Sequence, residues 1–228
     1  MASSATPIIK TQNLSVIYDY NKPSETVAIE DINIEIYPEE YVVIFGPSGS
    51  GKSTLLYSLT GMEKPTRGEV TIKEQNLAIL NQAELARFTR RNIGFVFQAY
   101  NLIPTLNVIN NVALPQVFEG QMKYTRLEAA KKLLTRFGVE AHVNKLPQEM
   151  SGGQQQRVAI ARSLINNPSI IFADEPVGNL DSRSAENVLE ILMELNQKDK
   201  KTINLLTHEP RYLTYAHRVL YMRDGRLI

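Results

Sequence analysis

Two short stretches of this sequence combine glycines with residues that bind anions. The first, "GPSGSGKST", runs from Gly46 to Thr54. Within it Gly46, Gly51, Lys52 and Ser53 fit the pattern G-x-x-x-x-G-K-[ST], with Pro47, Ser48, Gly49 and Ser50 between the glycines. Such glycines let successive backbone N–H groups turn inward onto phosphate oxygens. A helix that follows aims its positive N-terminus at the same place. Lys52 is expected to reach the β- and γ-phosphates of a nucleotide, and the Ser53 hydroxyl to ligate Mg²⁺. A carboxylate for that metal belongs at the end of a hydrophobic strand, and "SIIFADEP" supplies one. Asp174 is placed to hold Mg²⁺. Glu175, one residue on, is placed to polarise the water that attacks the γ-phosphate. The second stretch, "MSGGQQQR", runs from Met150 to Arg157. Ser151 there reads as the N-cap of a helix that continues through "QQQRVAIARSLI".

These residues need elements to hold them. "YVVIF" (Tyr41–Phe45) reads as a buried strand that ends at Gly46, and "KSTLLYSLTG" as a helix that stops at Gly61. "DINIEIY" (Asp31–Tyr37) alternates apolar and polar residues, as a half-buried strand does. "GEVTI" and "IGFVF" (Ile93–Phe97) read as strands on either side of a helix over "QAELARFTRR". From about Gln98 to Leu146 the texture turns helical. In "RLEAAKKLLTRFG" one stripe carries Leu127, Ala130, Leu134 and Phe137, and Gly138 ends it. Beyond Ser151 follow "SIIFA", a helix over Ser184–Gln197, the strand "TINLLT" and "RVLYMRDGRLI". Strands alternating with helices predict a mostly parallel α/β sheet.

Bulk composition narrows the function. The chain has 228 residues, enough to bury a sizeable core, with 43% hydrophobic and 21% charged residues. Its net charge of +1 gives no electrostatic case for a nucleic-acid partner, and none is expected. There is no cysteine, hence no disulfide or thiolate metal site. "MASSATPIIK" lacks the basic-then-apolar pattern of a secretory leader. No apolar run approaches the roughly 18 residues of a membrane span. If the protein works at a membrane, another polypeptide or domain must do the spanning. The chain stops soon after "RDGRLI", which leaves room for a C-terminal extension or a fused membrane domain.

Taken in order, "GPSGSGKST", Gln98 in "FVFQAYN", "MSGGQQQR", "IIFADEP", "GNLD" and "LTHE" resemble the ATP-binding-cassette (ABC) ATPase family over nearly the whole chain. The resemblance implies a P-loop NTPase core with a mostly parallel sheet, an N-terminal antiparallel β subdomain and a helical insertion. Residues 1–97 and 147–228 would form the core and about 98–146 the helical subdomain. It also implies why there are two anion-binding stretches. In this family Ser151, Gly152, Gly153 and Gln154 would cap the ATP held by the first loop of a second subunit. Small residues allow close backbone approach, and the helix start offers free N–H groups. Two copies would then sandwich two ATP molecules head to tail. Gln98 would ligate Mg²⁺ or the attacking water, Asp181 of "GNLD" would sit at the dimer interface, and His208 would contact the γ-phosphate. Tyr18 resembles the aromatic that stacks on adenine, with Tyr20 close enough to compete. His142 and His217 match no motif and read as structural. Met150 and Val177 depart from the family's usual leucine and threonine; the first exchange is expected to matter little.

Within the family, "IGFVFQAYNLIPTLNVINNVALP" and "ADEPVGNLDSRS" resemble the macrolide-export and lipoprotein-release group, including MacB and LolD, with the cell-division ATPase FtsE nearby. That group implies a cytoplasmic subunit, peripheral on the inner face of the cell membrane. An integral-membrane permease or fused membrane domain would dock near residues 99–120. The alternative is an FtsE-like regulator of a cell-wall enzyme. A soluble ABC ATPase acting on DNA or ribosomes would carry long coiled coils or two cassettes, and neither is present. A kinase would have no use for "SGGQ".

Overall fold

A computed structural model of the chain describes residues 6–228. The residues before them, in the stretch read above for a secretory leader, lie outside it. The fold divides into two compact units. One holds the residues up to Thr89 together with Asn196–Ile228, and the other is Arg90–Leu195.

In the first unit, β1 (Ile9–Tyr18), β2 (Thr26–Ile32), β3 (Glu35–Ile36), β5 (Arg67–Ile72) and β6 (Gln75–Asn76) make an antiparallel sheet. Its order is β2–β1–β5–β6, with β3 also on β1. A second group places β4 (Tyr41–Phe45) in parallel between β9 (Thr202–Thr207) and β10 (Arg218–Arg223), with β11 (Arg226–Leu227) antiparallel on β10. β9 is buried at every position and β4 at all but Phe45. β4 reads as an unbroken apolar run because both faces are covered, while β9 buries Thr202, Asn204 and Thr207 along with Ile203, Leu205 and Leu206. The register pairs Phe45 with Thr207 and with Tyr221, so β4 and β9 end side by side. α1 (Lys52–Thr60) follows β4 directly and stops at Gly61, which has φ +75° and donates its N–H to the Ser58 carbonyl. α2 (Gln82–Asn92) ends this part of the chain.

The strand expected over Asp31–Tyr37 is broken in two. Asp31 has a left-handed φ of +51°, β2 ends at Ile32, and only Glu35–Ile36 resume as β3. Thr11 is the cause. Its Oγ donates to the Ile32 carbonyl at 2.8 Å and accepts the Ile34 N–H at 3.0 Å, so one β1 residue serves both segments. Alternation survives the break, which is why the sequence reads as continuous.

The second unit pairs β7 (Ile93–Val96) in parallel with β8 (Ile170–Asp174) and adds α3 (Val108–Val117), α4 (Lys123–Arg136), α5 (Gly152–Leu164) and α6 (Ser182–Gln197). β7 stops one residue short of the predicted strand, and α6 begins earlier than predicted because Asp181 caps it. Residues 98–146 contain α3 and α4 and no strand. On α4, Ala130 and Leu134 are buried, as is Phe137 at its end, while Gly138 takes a left-handed φ of +65°. Among the described residues no helix is long and apolar enough to cross a membrane.

One side chain fixes the approach to α3. Asn111 is fully buried. Its Oδ1 accepts the Ile103 N–H at 2.7 Å, and its Nδ2 donates to the carbonyls of Ile103 and Leu106 at 3.0 and 2.8 Å. Asn111→Leu removes these partners from buried backbone groups. We expect a loss of about 1–3 kcal/mol in urea unfolding, with faster amide exchange over residues 103–107.

Candidate functional site

The first unit carries the phosphate-loop residues. Gly46 leaves β4 with no space around it: a Cβ there would sit 2.2 Å from the Met222 carbonyl oxygen. Gly51 has φ +93°, and a Cβ would lie 2.5 Å from the Ala28 carbonyl oxygen. Both positions exclude any side chain. Pro47, Ser48 and Gly49 are exposed, while Ser50 is buried. Lys52 is buried and turned into the loop, its Nζ donating to the Pro47 carbonyl at 2.8 Å. Ser53 and Thr54 complete the first turn of α1. Gly51 gives α1 no side-chain cap, and no acidic residue occupies the first turn. Neither a cap side chain nor an acidic residue of α1's own first turn offsets the positive end of the helix, which suits an anion site.

The other predicted residues of this unit gather at the same edge. Because Phe45 pairs with Thr207, Gly46 and His208 leave adjacent strands at their carboxyl ends. Ligands of open α/β sheets bind at this edge. The Tyr18 hydroxyl lies 3.4 Å from Thr54 Oγ1, beside the loop. Tyr20 is engaged elsewhere, accepting a hydrogen bond from Arg67 at 3.0 Å with the guanidinium 5.5 Å from its ring. His217 accepts the Tyr41 N–H on its Nδ1 at 3.1 Å, a purely structural contact.

The second unit holds the remaining candidates. Asp174 is the last residue of β8 and is buried. Glu175 follows with a left-handed φ of +42°, a conformation uncommon for residues other than glycine. The register pairs Val96 with Ala173, so the chain leaves β7 toward Gln98 and β8 toward Glu175 at one edge. Gln98 lies against the turn after Glu175. Its carbonyl accepts from Asn179 Nδ2 at 3.3 Å, and its Nε2 is 2.8 Å from where a Gly178 Cβ would be.

α5 begins as predicted. Ser151 is an exposed N-cap in a capping box: Ser151 Oγ accepts the Gln154 N–H, and Gln154 Oε1 accepts the Ser151 N–H. A Cβ on Gly152 would meet the Tyr100 hydroxyl at 2.7 Å, and one on Gly153 would meet Ser184 Oγ at 2.7 Å. The start of α5 thus abuts the start of α6. There Asp181 accepts the Ser184 N–H at 3.0 Å, and hydrogen bonds from Ser184 hold its carboxyl below the usual carboxylate range.

His142, read from the sequence as structural, and two residues not singled out there also make contacts in this region. His142 Nε2 lies 3.1 Å from Gln154 Nε2. Gln154 Oε1 already accepts the Ser151 N–H, so its amide nitrogen donates and His142 accepts. Gln156 is fully buried and donates to the Pro176 carbonyl at 2.6 Å, directly after Glu175. Arg162 donates to the carbonyls of Tyr100 and Asn101. Gln156 and Arg162 are not singled out by the sequence because they bind backbone carbonyls, which leave no mark in it.

A glycine loop between a buried strand and a helix, with a lysine turned into it, is the design of a P-loop nucleotide-binding protein. A family model described as "ABC transporter" matches residues 29–178. The chain belongs to the ABC transporter family and is an ATP-binding, ATP-hydrolysing cassette of it. An ABC transporter ATP-binding protein of Methanocaldococcus jannaschii, MJ1508, is 45% identical over 97% of this chain and 98% of its own. The macrolide export ATP-binding/permease protein MacB of Pasteurella multocida is 41% identical over 97% of this chain, which spans 34% of that longer protein. Among solved structures, the ATP-binding cassette MJ0796, a dimer in a post-hydrolysis state bound to ADP and Pi, matches with a TM-score of 0.89. The identity there is 40%, with 96% of each chain covered.

Gly51→Ala forces an alanine into φ +93° and against the Ala28 carbonyl. We expect a loss of about 1–3 kcal/mol in nucleotide-free stability from the backbone strain alone. Weaker ATP binding by titration calorimetry would accompany it.

Proposed function

We propose that two copies of this chain close head to tail around two ATP molecules and use each cycle of closure and hydrolysis to move an integral-membrane partner. One observation carries the reading. The chain has two separate helix starts built for anions, α1 behind the Gly46–Thr54 loop and α5 behind the exposed Ser151. One nucleotide needs only the first. A second copy gives the other a use.

In this reading Gly46 to Gly51 cradle the phosphates by their backbone, Lys52 reaches the β- and γ-phosphates, and Tyr18 stacks on the adenine. Ser151, Gly152, Gly153 and Gln154 meet the γ-phosphate of the partner copy's nucleotide. Asp181 lies where the copies meet. His208 contacts the γ-phosphate, and Glu175 accepts a proton from the attacking water, which Gln98 helps to orient. Ser53, Gln98 and Asp174 offer a hydroxyl, an amide carbonyl and a carboxylate, hard oxygen donors that suit Mg²⁺. When bound, that ion neutralises charge on the β- and γ-oxygens.

The dimer draws support from the dimeric MJ0796 structures. The membrane partner draws support from relatives in which the matching segment belongs to an export ATP-binding/permease protein, MacB and the SyfD of Pseudomonas syringae. We place the partner's contact near residues 99–120 and the chain on the cytoplasmic face of the membrane. Export, lipoprotein release or transmission of force through that partner is the work performed.

Glu175→Gln is expected to bind ATP yet lose about 10²–10⁴-fold in kcat, measured by phosphate release. Near-normal turnover would remove Glu175 from its role as base. Ser151→Arg places a large cation on the start of α5. Hydrolysis is expected to vanish while isolated monomers still bind ATP in a calorimetric titration. Full-rate hydrolysis by that variant would sink the head-to-tail arrangement.

A further inference from the structure

The loop that follows Gln98 is held in an unusual way. Tyr100 and Asn101 are consecutive non-glycine residues with φ +58° and +50°. A second such pair, Lys73–Glu74, is the two-residue turn between the paired strands β5 and β6, whereas Tyr100–Asn101 lies between β7 and α3 with no hairpin to hold it, and contacts from outside fix both its peptides. The Asn101 N–H is turned back on the Ala99 carbonyl at 2.6 Å. The carbonyls of Tyr100 and Asn101 are both taken by one side chain. Arg162, near the end of α5, donates from Nη1 to Asn101 O at 2.6 Å and from Nη2 to Tyr100 O at 2.8 Å.

Arg162 is half-buried, and its described partners are these two carbonyls, with no carboxylate among the described residues paired to it. Burial without a carboxylate pushes its pKa below the usual arginine value. A buried cation spent on two backbone carbonyls costs desolvation that a neutral donor would avoid. What it gains is a planar fork that fixes two adjacent peptides at once, which a lysine point charge cannot do.

The same loop touches α5 at its other end. The Tyr100 hydroxyl sits against Gly152, the first residue of the helix, where a Cβ would come within 2.7 Å. Between the two, Gln156 Nε2 donates to the Phe97 carbonyl at 3.4 Å as well as to Pro176. Tyr100 is therefore clamped through its backbone by Arg162 while its side chain lies against the start of α5.

We propose that Arg162 is a positioning residue: by locking the Tyr100–Asn101 peptides to α5, it makes the loop after Gln98 and the Ser151–Gly153 segment move as one piece. A displacement of the loop by a docked partner then becomes a displacement of Ser151, and closure on nucleotide feeds back on the loop. The inference rests on the reading that Ser151 meets a nucleotide held by a second copy. It adds the side chain that links this contact to the loop.

The test uses the full chain with Arg162→Lys, Arg162→Met and Tyr100→Phe. Each is measured for thermal unfolding, ATP binding by the monomer, kcat and KM for hydrolysis, and ATP-driven dimerisation in a Glu175→Gln background. For both Arg162 variants we expect monomer ATP binding to match the parent. We expect kcat to fall at least tenfold with KM little changed, and dimerisation to need at least tenfold more protein. Lysine should fare no better than methionine, since it cannot bridge two carbonyls. Parental kcat and dimerisation in Arg162→Met would overturn the assignment. So would full rescue by lysine, or a parallel loss of thermal stability and monomer ATP binding, which marks a role in folding alone. Should Arg162 variants not fold, Tyr100→Phe carries the test, because shortening the contact with Gly152 is expected to weaken dimerisation, and an unchanged dimer would refute the link. If the Glu175→Gln parent itself fails to dimerise with ATP, the head-to-tail reading falls, and the kcat-against-KM split alone decides Arg162.

Discussion

The first unit is organised around a lack of space. A phosphate loop works only if backbone amides, and not side chains, face the anion, and the chain enforces this by crowding. Gly46 is pressed against the carbonyl of Met222 in β10, and Gly51 against that of Ala28 in β2. Those carbonyls are fixed by the parallel register of β4 with β10 and by the antiparallel sheet that carries β2. A slip of either register would change what Gly46 and Gly51 meet. The large hydrophobic investment in β4 and β9, buried almost throughout, thus serves a loop of six residues between them and α1.

The second unit solves a different problem. Its candidates come from three separated segments, after β7, after β8 and before α5, and something must keep these in step. α5 does so by touching each. Gln156 holds the carbonyl after Glu175, Arg162 holds the loop after Gln98, and Ser151 starts the helix itself. The left-handed Glu175, Tyr100 and Asn101 all lie in these segments. Strain at such positions is stable only because neighbours over-determine it, and here the neighbours are polar side chains of one helix.

The sequence made some of this legible and hid the rest for definable reasons. "YVVIF" announces itself because burial on both faces favours an unbroken apolar run, and "TINLLT" is legible from Ile203, Leu205 and Leu206 although Asn204 between them is buried too. Ser151 and Gly61 announce helix ends because capping is a local transaction. The break at Asp31–Ile34 was invisible, since alternation continues across it and its cause, Thr11, lies on another strand. Tyr18 and Tyr20 could not be separated from composition. Their neighbours separate them, Thr54 for one and Arg67 for the other. Arg162 and Gln156 looked like ordinary helix residues because their partners are main-chain carbonyls far along the chain.

The capping box at Ser151 has a thermodynamic consequence. While the chain is alone, the start of α5 already satisfies part of its own demand, with Ser151 Oγ on the Gln154 N–H and Gln154 Oε1 on the Ser151 N–H. In the proposed dimer, a phosphate arriving at this end would compete with an internal ligand, and its net gain would be the difference between two hydrogen-bonded states. Affinity at that end is capped from within. For the proposed machine, which would have to let go once per turnover, a grip half-occupied at rest would favour release over a stalled closed state.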